Sequence, residues 1–306
     1  MFDVKRGTLV SEKRGVLFLN SGSGSRTPAE VAQLEQSAKE SGLEVLHIGP
    51  DLKMGTVIRE KLERGVKLFV AAGGDGTINH VAQSLVGTDG ILGVIPFGTL
   101  NHFARDLHIP LEIPASLEVA LGGETVQVDV GRVNERYFLN NISLGVYPPF
   151  VEHKETLRRY GRWRALPYAV YMTMRHFPHV SITVETEHRM EAIRTHIFMV
   201  ANNPYDLSQV GIEAPRPSLE TGTLAVYWVD HMPKWRFVGM LTRYVRGKAD
   251  GVSGFQTTRT QQLKVRSRDR RIRLGMDGEV FKMDAPLVIH SVPRSLLVRV
   301  PQGTAN

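Results

Sequence analysis

Four short apolar runs, at residues 15–20, 43–49, 66–74 and 91–98, are separated by stretches with helical spacing. That alternation constrains the fold more than any other feature of the chain. Strand and helix in turn imply a parallel sheet with helices on both faces. "VKLFVAAGG" (66–74) is almost wholly apolar, as a parallel strand buried on both faces must be. The intervening helices carry their own signals. Thr27 and Glu30 form a capping-box pattern with Pro28 at the first helical position, and Gly42 and Gly65 stop two helices. Ile78, Val81 and Leu85 share one face of the third helix. Ligands of such sheets gather at the carboxyl ends of the strands.

From about residue 126 the rhythm changes. "VQVDVGRVNERYFLNNISLG" reads as a hairpin with its turn at 134–136, and many strand-like runs follow, down to "PLVIHSV" and "LLVRV". Helical stretches interrupt them near 154–176 and 233–247. The expected architecture is α/β plus β: residues 1–125 as a domain with a parallel sheet, then 126–306 as a β-sandwich domain. The last strand is free to return to the first domain.

The 306 residues are 42% hydrophobic and 23% charged, enough for a sizeable core, and contain no cysteine. Disulfides, thiolate metal sites and a cysteine nucleophile are thereby excluded. The first twenty residues lack a signal-peptide layout, and no run of about 18 uncharged apolar residues occurs. A cytoplasmic protein is expected, with room for a peripheral place on the inner membrane face. The formal charge of +7 suits an anionic partner or a plain basic surface.

The chemistry concentrates in glycine-rich breaks at strand ends. "AAGGDGTINH" (71–80) places Gly73, Gly74 and Gly76 around Asp75, just before a helix. Glycines let a backbone approach phosphate closely, and a helix N-terminus offers free N–H groups and a positive dipole end. A carboxylate among phosphates would repel them unless a cation intervened, and Mg²⁺ is the natural one. The loop lacks the P-loop lysine and does not spell GxGxxG. "PFGTLNHFARDL" (96–107) offers Gly98, Thr99 and Asn101 at the next strand end, and "NSGSGS" (20–25) opens with Asn20 at the first. One such loop also fits a simple glycine turn; three on one sheet edge point to a nucleotide.

"GGDGTINHV" (73–81), "PFGTLNHFAR" (96–105) and "MDGE" (276–279) resemble, in order and spacing, the motifs of the diacylglycerol kinase catalytic-domain family of lipid kinases, which includes sphingosine kinases and bacterial relatives. The resemblance implies an active site between two domains, ATP and Mg²⁺ as requirements, and transfer of the γ-phosphoryl group to a lipid hydroxyl. It assigns Gly73 to Thr77 and Asn79 to the nucleotide phosphates, with Gly98, Thr99 and Asn101 in the same pocket. It gives Glu279 the role of proton acceptor. Asp75 would orient the metal or nucleotide, and Asp277 would help hold Glu279 or the metal.

"MDGEVF" taken alone also fits an Asp-Gly hairpin turn. Two family acidic positions are histidines here, His80 and His102, which alters the charge beside the loops. Thr221 stands where bacterial relatives place the aspartate of a structural Mg²⁺ site, so no such site is expected. The mixture of arginine and aromatic residues at 154–177 and 234–248 suits an anionic membrane surface. No RNA-binding signature accompanies it, and nucleic acid is not expected as a partner. A soluble nucleotide kinase, such as an NAD kinase, and a nucleotide-binding regulator without catalysis stand as alternatives.

Overall fold

The computed structural model describes residues 14–22, 26–98, 101–145, 179–187, 189–204, 222–230 and 255–304, with a few single residues between 171 and 236. The two helical stretches expected near 154–176 and 233–247 fall almost wholly outside the described residues, as does the 217–221 stretch. The chain divides into two compact units: Met1–Val126 with Leu296–Asn306, and Gln127–Ser295.

The first unit alternates β1 (Gly15–Leu19), α1 (Pro28–Glu40), β2 (Leu43–His47), α2 (Met54–Glu63), β3 (Leu68–Gly73), α3 (Asp75–Leu85) and β4 (Ile91–Pro96). The strands pair in parallel in the order β2-β1-β3-β4. The capping box at α1 forms as the sequence implies: the Glu30 N–H donates to Thr27 Oγ1 at 3.3 Å, and the Thr27 N–H donates to Glu30 Oε2 at 2.8 Å. Two short helices follow, α4 (His102–Asp106) and α5 (Ile113–Gly122). Leu17, Leu19, Val70, Ala72 and Ile95 turn to one face of the sheet, where Leu34 and Ala38 of α1 meet Leu117 and Ala120 of α5. α3 packs on β3 and against α2. Each fully buried leucine or isoleucine in these layers contributes about 1.5–3 kcal/mol.

The second unit is rich in antiparallel strands. β5 (Glu124–Val133) turns through Asn134 into β6 (Arg136–Phe138), and β7 (Asn141–Gly145) follows. β8 (Val180–Thr186), β9 (Met190–Ala201), β10 (Leu224–Asp230) and β11 (Phe255–Thr260) come next. The run ends with β12 (Gln262–Ser267), β13 (Arg271–Met276), β14 (Glu279–Asp284) and β15 (Leu287–Val300). β9 is the branching strand, pairing with β7, β8 and β10. The apolar faces meet in one cluster that includes Phe138, Phe198, Trp228, Leu263, Leu274 and Ile289.

The two runs "PLVIHSV" and "LLVRV" are a single strand, β15. Its start pairs with β12 in the second unit, and Leu297 and Val298 pair in parallel with β4 in the first. Between these segments Arg294 takes φ 44°. Its N–H donates to the buried carboxylate of Asp129 at 2.8 Å, and the Gly222 N–H donates to the other oxygen at 2.7 Å. Asn202 Nδ2 adds bonds to the Asp129 and Leu139 carbonyls at 2.7 and 3.2 Å. A buried carboxylate costs little when backbone donors replace its water.

Gly131 sits directly opposite Phe138 in the β5–β6 ladder, and a Cβ there would run into the Phe138 ring, which is fully buried. The ring cannot swing away without opening the core. Gly131→Ala is expected to cost about 1–3 kcal/mol of stability, read as a lower denaturant midpoint. An unchanged midpoint would mean that the ring has room to move.

Candidate active site

In the first unit the polar strand ends lie side by side because β1, β3 and β4 are neighbours. Asn20, just past β1, donates from Nδ2 to Thr77 Oγ1 at 2.9 Å, which links the mouth of β1 to the first turn of α3. β3 ends at Gly73, Gly74 is the N-cap of α3, and Asp75, Gly76 and Thr77 form its first turn. Past β4, Asn101 adopts a left-handed conformation at φ 50° and donates from Nδ2 to the Gly98 carbonyl at 2.8 Å. Thr99 lies outside the described residues.

Two of the glycines are required by the mouth itself. A Cβ on Gly73 would come within 2.5 Å of the Thr77 side chain. One on Gly98 would lie 2.6 Å from Asn101 Oδ1 and 3.1 Å from the Gly74 Cα. The ends of β3 and β4 therefore touch through glycine, and any side chain would push them apart. Asn79 is buried in α3, with Oδ1 3.5 Å from Gln83 Nε2. His80 and His102 are both exposed.

Asp75 is the electrostatic centre of the mouth. Burial raises its pKa above the usual carboxylate value. The charge of His102 and the backbone N–H groups of Phe103, Asn101 and His102 pull the other way, and burial outweighs them. Asp75 Oδ1 is buried without a hydrogen-bond partner, and so is Asn101 Oδ1. Buried acceptors without donors are costly, and a cation would satisfy them. The amide end of α3 offers N–H groups and the positive dipole end to an anion. This donor set fits Mg²⁺ carried with a nucleotide phosphate, where one or two protein carboxylates suffice.

The other candidates belong to the second unit. Asp277 and Gly278 make the β13–β14 turn with φ 47° and 88°. Two left-handed residues are what a two-residue hairpin turn of the primed type requires. The Asp277 carboxylate is buried and accepts the N–H groups of Leu139 at 2.7 Å, Asn140 at 2.9 Å and Asn141 at 3.0 Å. Its own N–H donates to the Asn141 carbonyl at 3.0 Å. Asp277 thus fastens the hairpin tip to the segment between β6 and β7. Glu279 opens β14, opposite Met276, and is exposed.

The structure brings Asn20, Gly73, Gly74, Asp75, Gly76, Thr77, Gly98 and Asn101 together in the first unit, and Asp277 with Glu279 in the second. Sequence reasoning missed Arg26, whose guanidinium donates to the carbonyls of Pro96 at 3.3 Å and Leu111 at 2.7 Å, bracing the end of β4. It also missed the partners of Asp277. Those amides lie more than a hundred positions upstream and carry no side-chain signature.

Asp277→Asn would set an NH₂ group against at least one of the three N–H donors. The expected result is a loss of about 1–3 kcal/mol in stability, measured by denaturant unfolding. Asp277→Glu should not restore it, because the longer chain displaces the carboxylate. Stability equal to the parent in both variants would show that the three contacts carry little.

Residues 14–133 match the sequence family described as "Diacylglycerol kinase catalytic domain". A diacylglycerol kinase of Staphylococcus epidermidis is 46% identical over 81 residues, 26% of this chain and 26% of that protein. One from Staphylococcus saprophyticus is 35% identical over 138 residues, 42% of this chain and 44% of that protein. The matched stretches thus span between a quarter and under half of those relatives' own lengths. A solved structure named as a diacylglycerol kinase from Bacillus anthracis str. Sterne superposes with a TM-score of 0.69. It covers 96% of this chain and 98% of its own at 16% identity, a likeness of fold. The parallel strands followed by an antiparallel, strand-rich region are therefore the architecture of that fold. The likeness in sequence to the diacylglycerol kinase catalytic domain thus rests on residues 14–133.

Proposed function

We propose that the protein is a lipid kinase that moves the γ-phosphoryl group of ATP to a hydroxyl of a diacylglycerol-like lipid, with Mg²⁺. The observation that carries this reading is the mouth of β1, β3 and β4. There a helix N-terminus suited to phosphate stands beside a half-buried carboxylate, Asp75, with a buried, unpartnered oxygen suited to a cation. In this reading Gly74, Gly76 and Thr77 offer backbone N–H groups to the phosphates. Asn20, Asn79, Gly98, Thr99 and Asn101 shape the same pocket, and Asp75 holds the metal. Bound Mg²⁺ supplies neutralisation of charge on the phosphoryl oxygens.

Glu279 is the proton acceptor. The lipid oxygen forms its bond to the γ-phosphorus as the bond to the ADP oxygen breaks, and the hydroxyl proton passes to the Glu279 carboxylate. A positioned acceptor of this kind contributes about 10²–10⁴ in rate. Asp277 acts through position, holding the turn from which Glu279 projects. The reading requires Glu279 to reach the triphosphate. It also implies transient contact with an anionic membrane surface on the cytoplasmic side. Among the described residues no helix is long and apolar enough to cross a membrane.

Incubation with labelled ATP, Mg²⁺ and a total lipid extract should label a lipid phosphate monoester. Glu279→Gln should lower kcat by about 10²–10⁴ with little change in nucleotide affinity. Labelling of NAD in place of any lipid, or wild-type kcat in the variant, would refute the reading.

Asp75 has a second consequence. Its pKa is raised on folding, so its favourable contribution is complete below the unfolded carboxylate pKa. That contribution is lost as pH rises through the folded value. At neutral pH the free protein therefore carries a destabilising charge. Asp75→Asn should melt at a higher temperature than the parent near pH 7, with the difference shrinking as pH falls through the carboxylate range, and it should be inactive. A variant less stable than its parent at neutral pH would contradict this account.

A further inference from the structure

The tip of the β13–β14 hairpin has a second charged group that the proposed reaction does not use. In the register of the hairpin, Ile272, Leu274 and Met276 oppose Met283, Phe281 and Glu279. Glu279 and Phe281 therefore share the core-side face of β14, two residues and about 6.8 Å apart along the strand. Over the Phe281 ring lies the guanidinium of Arg136, 4.8 Å from its centroid. Arg136 opens β6 and is exposed. Among the described residues the ring is the one partner of its side chain, and none of the described carboxylates pairs with it. Arg271, Arg273 and Lys282 fall on the opposite face of the same hairpin by strand alternation.

Arg136 does not hang on a loose turn. The Asn134 N–H donates to the Val288 carbonyl at 2.8 Å, and Asn134 Oδ1 accepts the Val288 N–H at 2.8 Å. On the other side, Asp277 clasps residues 139–141. The strand carrying Arg136 is thus pinned on one side to β15 and on the other to the turn that precedes Glu279. The Arg136 side chain is exposed, and the N–H fork of a guanidinium matches the oxygens of a phosphate.

We propose that Arg136, whose guanidinium lies over Phe281 two positions from Glu279, is an anion-binding residue that takes the phosphate group of a phospholipid on the acceptor side of the site. This rests on the kinase reading for its place in the reaction, and on geometry alone for its charge. The phosphate has two sources. It is the monoester formed on the acceptor lipid by the transfer, or the diester headgroup of a neighbouring bilayer lipid. Both present oxyanions to one guanidinium.

The test is co-sedimentation of the full chain with phosphatidylcholine vesicles, plain or doped with phosphatidic acid or with phosphatidylglycerol. Arg136→Ala should bind the doped vesicles about fivefold more weakly than the parent, with no change on plain vesicles. Arg136→Gln, which preserves most of the side-chain packing, should lose as much. Arg136→Lys should recover part of the affinity. Loss confined to phosphatidic acid assigns the newly made monoester; loss on both assigns the bilayer headgroup. Parental affinity of both neutral variants for both doped vesicles, with melting temperatures unchanged, overturns the proposal. Vesicle binding needs no turnover. A chain that binds through Arg136 yet phosphorylates no lipid would sink the kinase reading alone, whereas an active kinase indifferent to Arg136 would sink this inference alone.

Discussion

A carboxylate taken out of water must be compensated, and three aspartates of this chain meet that demand in different ways. Asp129 receives two backbone N–H groups, from Gly222 and Arg294. Asp277 receives three, from consecutive residues. Both are finished structural groups, and each joins segments far apart in sequence. Asp75 is different. It is half-buried at the start of α3, one of its oxygens is buried without a donor, and burial raises its proton affinity. The unsatisfied carboxylate is the one that lies among glycines at the mouth of a parallel sheet. The proposed reading gives that open acceptor to a cation.

The surrounding mouth is built to keep that place open. Glycine at 73 and 98 is needed because the side chains of Thr77 and Asn101 already fill the space where a Cβ would go. Asn20 bridges to Thr77, and Arg26 braces the β4 end through two carbonyls. These contacts hold the strand ends together.

Much of this was legible in the sequence where the determinant is local. The capping box at Thr27 and Glu30, the stop at Gly42, the turn at Asn134 and the Asp-Gly turn at 277–278 each depend on residues within a few positions of one another. The apolar runs of β1, β3 and β4 announced buried parallel strands. α5 was not foreseen, although Pro114 and the spacing of Leu117, Ala120 and Leu121 are helix signals, because the run passes for a link between the halves. The joining of two apolar runs into β15 was not legible either. It depends on two different partners, β12 and β4, for the two parts of one strand. The part of Asp277 was half visible: the turn could be read, but the acceptor role toward Leu139, Asn140 and Asn141 exists only in three dimensions.

The contrast between Asp277 and Glu279 follows from the same turn. In a two-residue hairpin the left-handed pair at 277–278 directs the first side chain back toward the adjoining backbone. There the Asp277 carboxylate is consumed by amides. The residue that opens the returning strand is aimed by the pleat, and at 279 that puts a carboxylate on the core-side face beyond the last apolar pair of the ladder. It is in line with Phe281 and Met283 but past the end of the core, so it remains in water while the backbone beneath it is fixed. If Glu279 accepts the proton, as proposed, the anchored turn limits the positions it must search when a hydroxyl arrives.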